Sequence, residues 1–299
     1  MLEEQTYGPS TLLLGPDRGR YPDGNSLLVR GREETVLIDP SLGVRPRRDQ
    51  LDAVDWCLAS HCHEDHLAAL DLFSDRPFRL HAADAPGIES LEAFLAIYGF
   101  PTAIAEAFAP VLRDQFHFVP RRDAETFGDG DLFDLGGVTI RVLHTPGHTR
   151  GHCCFLIEGV GADPLLYLGD IDLSSFGPYY GDAWSNLEDF ERSLELVRST
   201  EARWYATFHH IGVLEREAFL ERLDRFEAVI GRREERLLAY LAEPHTLEEI
   251  AAHRFVYRPG DDVLFAEAVE RTSMGQHLSR LEHSGQIEQT APGTFRALQ

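Results

Sequence analysis

The chain has 299 residues, of which 43% are hydrophobic, 26% charged and 10% aromatic, enough apolar material for one large globular domain or one domain with a small appendage. Fifty acidic residues against 28 basic ones give a net charge of -22, which argues against duplex DNA or an anionic membrane surface as a general partner. All 28 basic residues are arginine, so Schiff-base chemistry and any phosphate loop built on a lysine are excluded.

The acidic start, Met1 to Gln5, is not followed by an apolar stretch of signal-peptide length, and no apolar run reaches the length of a membrane span. Four cysteines without disulfide-framework or zinc-finger spacing then predict reduced thiols and a cytoplasmic protein. Short β-rich runs at 11–14, 26–29, 35–38 and 54–58, separated by Gly, Pro and Asp, read as strands of one sheet. The pattern becomes helical at 67–73 and 88–118, where Leu91, Phe94, Leu95 and Tyr98 recur at three- and four-residue steps. Strands follow at 138–143, 153–157 and 165–168, a helix at 187–197, a strand at 204–208 and mostly helix over 215–242. This alternation predicts an α/β fold of two sheets, each covered by helices.

Near Gly231 the texture changes, which divides the chain into 1–230 and 231–299. Helices at 234–241, 247–252 and 266–283 and a hairpin around Pro292-Gly293 describe a small winged-helix-like C-terminal domain. Its eight arginines against 11 acidic residues suit a structural or dimer-forming role better than DNA reading. No repeat or low-complexity tract interrupts the chain.

The segment Ser60-His61-Cys62-His63-Glu64-Asp65-His66 packs three imidazoles and a carboxylate between a strand end and the next helical stretch. Imidazole and carboxylate suit borderline divalent metals, and one turn lets His61 and His63 grip one ion while Asp65 and His66 reach a second. Further metal-competent side chains sit at later strand ends: His148 after Pro146-Gly147, Asp170 after Leu168-Gly169, and His209-His210 after Phe208.

The pattern His61-x-His63-x-Asp65-His66, then His148, Asp170 and a late His, resembles the metallo-β-lactamase fold superfamily of metallohydrolases over roughly residues 10–230. The resemblance implies a four-layer αβ/βα sandwich. It implies that His61, His63 and His148 bind one metal, that Asp65, His66 and the late His bind another, and that Asp170 bridges the two. A Gly-Pro-Val-like stretch follows the late His in that family; aligned with Ile211-Gly212-Val213 it selects His210, with His209 as the alternative. The implied cofactors are two divalent ions, zinc first and iron or manganese as alternatives. Together they lower the pKa of a bridging water to supply hydroxide, while Asp65 orients that water and carries a proton to the leaving group.

Weaker expectations attach to neighbouring residues. His152 is placed either as a hydrogen-bond donor to a ligand carboxylate or as a structural histidine. Arg150 is an anion clamp or the partner of a carboxylate, and Cys62 is packing. The aromatic residues of 88–118 and of Phe176 to Tyr180 would wall an apolar pocket or fill the core. The expected substrate is therefore a small ester, thioester, lactone or amide. Two other readings stand beside it: a single-strand-specific endoribonuclease, opposed by the negative charge, and a mononuclear iron oxygenase using His61, His63, His148 and Asp170.

Overall fold

The computed structural model describes residues 3–261 and 263–298. Seven strands, β1 (Glu4–Tyr7), β2 (Ser10–Leu13), β3 (Ser26–Arg30), β4 (Thr35–Ile38), β5 (Trp56–Leu58), β6 (Phe78–His81) and β7 (Glu125–Phe127), lie side by side in chain order. Pairing is antiparallel from β1 to β4 and parallel from β4 to β7. The second sheet contains β8 (Leu132–Asp134), β9 (Val138–His144), β10 (Cys153–Gly159), β11 (Leu165–Tyr167), β12 (Trp204–Ala206) and β13 (Val213–Glu215), in the spatial order β13-β12-β11-β10-β9-β8.

The strands are continuous apolar runs because both faces of each sheet are covered. In β3, Leu27 and Val29 enter the core between the sheets, while Leu28 points to the outer layer; in β4, Val36 and Ile38 face inward and Leu37 outward. On the outer face of the first sheet lie α1 (Leu91–Tyr98) and α2 (Thr102–Asp114), and on that of the second lie α3 (Leu187–Ser199) and α4 (Arg216–Tyr240). The result is the four-layer αβ/βα sandwich.

Two helical expectations change. The run 88–118 is split, because Gly99 takes a left-handed conformation (φ 66) that ends α1 just before Pro101. The run 67–73 forms tight 3-10 turns at Glu64–His66 and Leu70–Phe73. Ala69 N–H there donates to Pro40 O (2.7 Å) in another layer, so the i→i+4 ladder of an α-helix never forms.

The C-terminal part contains β14 (His245–Thr246), α5 (Leu247–His253), α6 (Ala266–His283), β15 (Ile287–Ala291) and β16 (Thr294–Ala297), with its own core around Leu237, Ile250, Phe255, Met274 and Leu281. The change of texture at Gly231 is not a break in the chain's structure: α4 runs through it without interruption. A mid-helix glycine costs about 1 kcal/mol, and Phe226, Val229 and Ile230 before it and Leu237 after it bury enough apolar surface to carry the helix onward. No helix among the described residues is long and apolar enough to cross a membrane. All four cysteines are free and buried.

Candidate metal centre

Strand ends from both sheets deliver the chemical groups to one edge of the sandwich. After β5 the chain turns through Ser60 to His66; after β9 it turns through His144 to His152; Asp170 follows β11 and His209 follows β12. Two groups of side chains converge there. One is His61, His63, His148 and Asp170, and the other is Asp65, His66 and His209.

The distances show how tightly they meet. His63 Nδ1 lies 3.1 Å from His61 Nε2 and 2.9 Å from His148 Nε2. Asp170 spans both groups, with Oδ2 3.1 Å from His148 Nε2 and Oδ1 2.9 Å from His66 Nε2 and 3.8 Å from His209 Nε2. His209 Nε2 is also 3.1 Å from Asp65 Oδ2. All except Asp170 are buried.

The far side of each ring fixes which nitrogen carries the proton. His148 Nδ1–H donates to Tyr179 O (3.0 Å), and His209 Nδ1–H to Gly19 O (2.6 Å). His66 Nδ1–H donates to Asp39 Oδ2 (2.8 Å). Ser60 Oγ gives its single proton to Asp39 Oδ2 (2.6 Å), so its 3.0 Å contact with His61 Nδ1 is a donation from the imidazole. In the neutral rings the Nε2 lone pairs of these four histidines therefore point into the centre, toward one another, His63 Nδ1 and two carboxylates. Lone pairs facing lone pairs at such distances repel unless positive charge lies between them. This donor set, imidazole nitrogen with carboxylate oxygen, fits divalent metal ions.

The ionisation of the centre follows the same logic. Burial and the neighbouring His66, His148 and His63 drive His61 well below its ordinary value. Burial also opposes protonation of His209 and His63, but Asp170 and Asp65 outweigh it at the first and Asp182, Glu64 and Asp170 at the second, leaving each near 9. Burial pushes Asp65 and Asp170 upward, yet the facing imidazoles hold both below the usual carboxylate range. Protons thus supply the balancing charge that cations would supply.

His210, selected from the sequence, does not join the centre, and this expectation is corrected. Strand β12 ends at Ala206, two residues before the predicted end, and the chain turns at once: Thr207 Oγ1 donates to His209 O (2.7 Å) and Ile211 N also to His209 O (2.7 Å). The turn aims His209 inward and puts His210 at φ 60, half-buried on the rim of a surface cavity of about 360 Å3 lined also by Arg18 and Arg222. His61, His63, Asp65, His66, His148 and Asp170 lie together at this edge of the sandwich.

Several supporting residues carry no motif. Asp39, at φ 51 just past β4, accepts from Ser60 N (2.6 Å), Ser60 Oγ, His66 Nδ1 and Tyr167 OH (2.9 Å), and so ties both sheets to the His61–His66 turn. Asp84 accepts from Thr149 Oγ1 and Gly151 N (2.6 Å each) and from Cys62 N (3.2 Å), joining the two histidine-bearing turns. Asp182 Oδ2 lies 3.0 Å from His63 Nε2, off the line a hydrogen bond needs. The only sequence signals were an acid ending a strand at Asp39 and an acid beside a loop at the other two.

His152 is a structural partner and not a donor to a ligand carboxylate. Its Nδ1–H donates to Thr145 O (3.0 Å) and its Nε2 accepts from Asp170 N (3.1 Å), while burial holds it near 3 and so neutral. Arg150 stacks over the Trp184 ring at 4.6 Å. Tyr98 stacks against His63 (centroids 5.5 Å), and its hydroxyl and that of Tyr21 both donate to the buried Glu64. Phe116 packs beside Tyr21 at 5.9 Å, so part of the aromatic insertion does lie next to the centre.

The fold and this centre define an αβ/βα sandwich whose edge carries a His/Asp cluster suited to divalent metal ions. The chain belongs to the metallo-β-lactamase superfamily, whose family model matches residues 21–228. It is 29% identical over 206 residues to the human acyl-coenzyme A thioesterase MBLAC2, an alignment covering 59% of this chain and 70% of that protein. An uncharacterized protein of Mycobacterium tuberculosis is 35% identical over 154 residues, 48% of this chain and 65% of that one. For another, from Mycobacterium leprae, the alignment spans 60% of the relative's length at 32% identity and 44% of this chain. A metallo-β-lactamase family protein of Thermus thermophilus superposes with a TM-score of 0.71 at 25% identity, covering 97% of this chain and 99% of that one. A β-lactamase domain protein from Burkholderia ambifaria gives the same TM-score of 0.71 at 19% identity, covering 98% and 93%.

Proposed function

We propose that this protein is a dinuclear metal-dependent hydrolase of acyl thioesters. The observation that carries the reading is the pair of donor sets joined by Asp170: His61, His63 and His148 on one side, Asp65, His66 and His209 on the other. Two divalent cations held there would lower the pKa of a water toward neutrality and polarise an acyl carbonyl, with zinc as the first choice and iron or manganese as alternatives.

The residues around that chemistry favour a thioester. Burial is outweighed by the facing imidazoles and Asp65 is held below the ordinary carboxylate range, so at neutral pH it is ionised, able to orient water as an acceptor but carrying no proton for a leaving group. An amide nitrogen must be protonated in order to leave, whereas a thiolate, with a conjugate pKa of about 8.5, leaves without that help. Tyr21, exposed beside Glu64 with Phe116 packed behind it, offers an apolar flank for a small acyl group. The relatives named as acyl-coenzyme A thioesterases support the same substrate class.

The test is elemental analysis of protein purified without added metal, run with acyl thioester, lactone, phosphodiester and persulfide panels. About two metal ions per chain, with thioester turnover lost to a chelator and restored by zinc, is the expected result. One iron with oxygen uptake, or no thioester turnover in the loaded protein, overturns the reading.

A further inference from the structure

The segment from Phe176 to Leu187 links the C-terminal helices to the metal centre. On one side, Arg233 of α4, only 2% exposed, donates from Nη1 to Pro178 O (2.6 Å) and from Nη2 to Phe176 O (2.9 Å). Gln276 of α6 donates to Tyr180 O (2.9 Å) and accepts from Leu187 N (2.6 Å). Tyr180 OH and His277 Nε2 lie 2.8 Å apart. On the other side the segment holds the turn bearing His148. Tyr179 O accepts from His148 Nδ1 (3.0 Å), Ser185 Oγ donates to His148 O (2.8 Å), and Asn186 N donates to Gly147 O (2.9 Å).

The carbonyls of 176, 178 and 180 face the C-terminal helices, while the carbonyl of 179 faces the histidine. With the carbonyls of Pro178 and Tyr180 both held by side chains of the C-terminal helices, the Tyr179 peptide between them has little freedom to turn away from His148. A ligating imidazole needs its remote N–H engaged to keep its lone pair on the metal side, and losing such a partner typically costs 10–100-fold in metal affinity.

We propose that Arg233 and Gln276 are positioning residues for the subsite formed by His61, His63 and His148. Through the carbonyls of Pro178 and Tyr180 they aim the Tyr179 carbonyl at His148 Nδ1, and so hold the His148 lone pair at Nε2. The C-terminal part is then a working component of the metal centre. The inference rests on the reading of the centre as a metal site.

The test is competition titration of the full-length metal-free protein with Zn2+ against a chromophoric chelator. It compares wild type with Arg233→Met, Arg233→Lys and Gln276→Leu, each also in a His209→Ala background that leaves only the tri-histidine subsite. Arg233→Met is expected to weaken that subsite by about 10–100-fold; Arg233→Lys, which keeps one donor, and Gln276→Leu, which spares the Arg233 contacts, should lose less. Thermal unfolding of each metal-free variant separates aim from fold: a loss of affinity without a matching loss of stability supports the proposal. Unchanged affinity in all three variants overturns it, as does an equal weakening of both subsites that tracks the fall in stability. Wild type that binds no zinc overturns the metal reading and this inference together.

Discussion

Asp39→Asn tests how the centre assigns its protons. The carboxylate receives four donors, three of them on Oδ2: Ser60 Oγ at 2.6 Å, His66 Nδ1 at 2.8 Å and Tyr167 OH at 2.9 Å. Asparagine has the same shape and tolerates the left-handed φ of 51, so the backbone can stay in place. Its Oδ1 can keep the bond from Ser60 N, but an amide NH2 then faces three donors. The least costly escape is for His66 to move its proton from Nδ1 to Nε2, which turns an N–H toward Asp170 and removes the lone pair from the centre. A hydrogen bond to a charged group contributes about 1.5–3 kcal/mol, so a loss of about 2 kcal/mol corresponds to about 30-fold weaker metal binding at the subsite of Asp65, His66 and His209. The assay is two-step zinc titration of the metal-free protein against a chelator. The weaker constant should fall by that factor while the tri-histidine constant stays within a few fold. Two unchanged constants, in a variant with wild-type circular dichroism, would falsify the tautomer argument.

Other outcomes follow from the same geometry. His209→Ala should leave about one metal per chain and little hydrolase activity, whereas His210→Ala should keep both metals; metal analysis of the two variants decides which histidine closes the centre. In the metal-free protein His63 and His209 titrate near 9, above the ordinary 6.5. Their stabilisation is therefore complete below about pH 6.5 and is lost as the pH rises toward 9. Thermal unfolding of the metal-free protein should show that decline, and zinc added at pH 7.5 to weakly buffered protein should release protons; a flat profile with no release contradicts the assignment. Gly147→Ala would place a Cβ 2.3 Å from Phe190 N at φ 129. Positive φ at about 1–2 kcal/mol and overpacking at about 1–3 kcal/mol give a destabilisation of about 3 kcal/mol, measurable by urea unfolding.

Much of this protein was legible in one dimension because its information is local. Strands buried on both faces must be apolar throughout, so β3, β4, β9, β10 and β11 stood out as runs between Gly and Pro punctuation. The candidate metal-binding residues of the His61–His66 turn are close in sequence, and His148 and Asp170 each follow a strand, so a pattern of residue types with turn signals was enough to mark them as candidates. The edge strands β1, β7, β8 and β13 were missed, since half-exposed runs of three or four residues carry little hydrophobic signal, and so was interior β6, whose Arg79 and His81 break the apolar run.

What only the tertiary structure decided is which groups face each other across the sheets. The choice of His209 over His210 hangs on a strand that stops at Ala206 and on hydroxyl and amide bonds that turn the next residues. The roles of Asp39, Asp84, Asp182 and Arg233 depend on partners 27 to 119 positions away, and a buried acid or arginine has no periodicity to betray it. Residue types at strand ends specify what chemistry the chain can perform. Where each lone pair points is set by hydrogen bonds between distant segments, and those bonds exist only after the layers have packed.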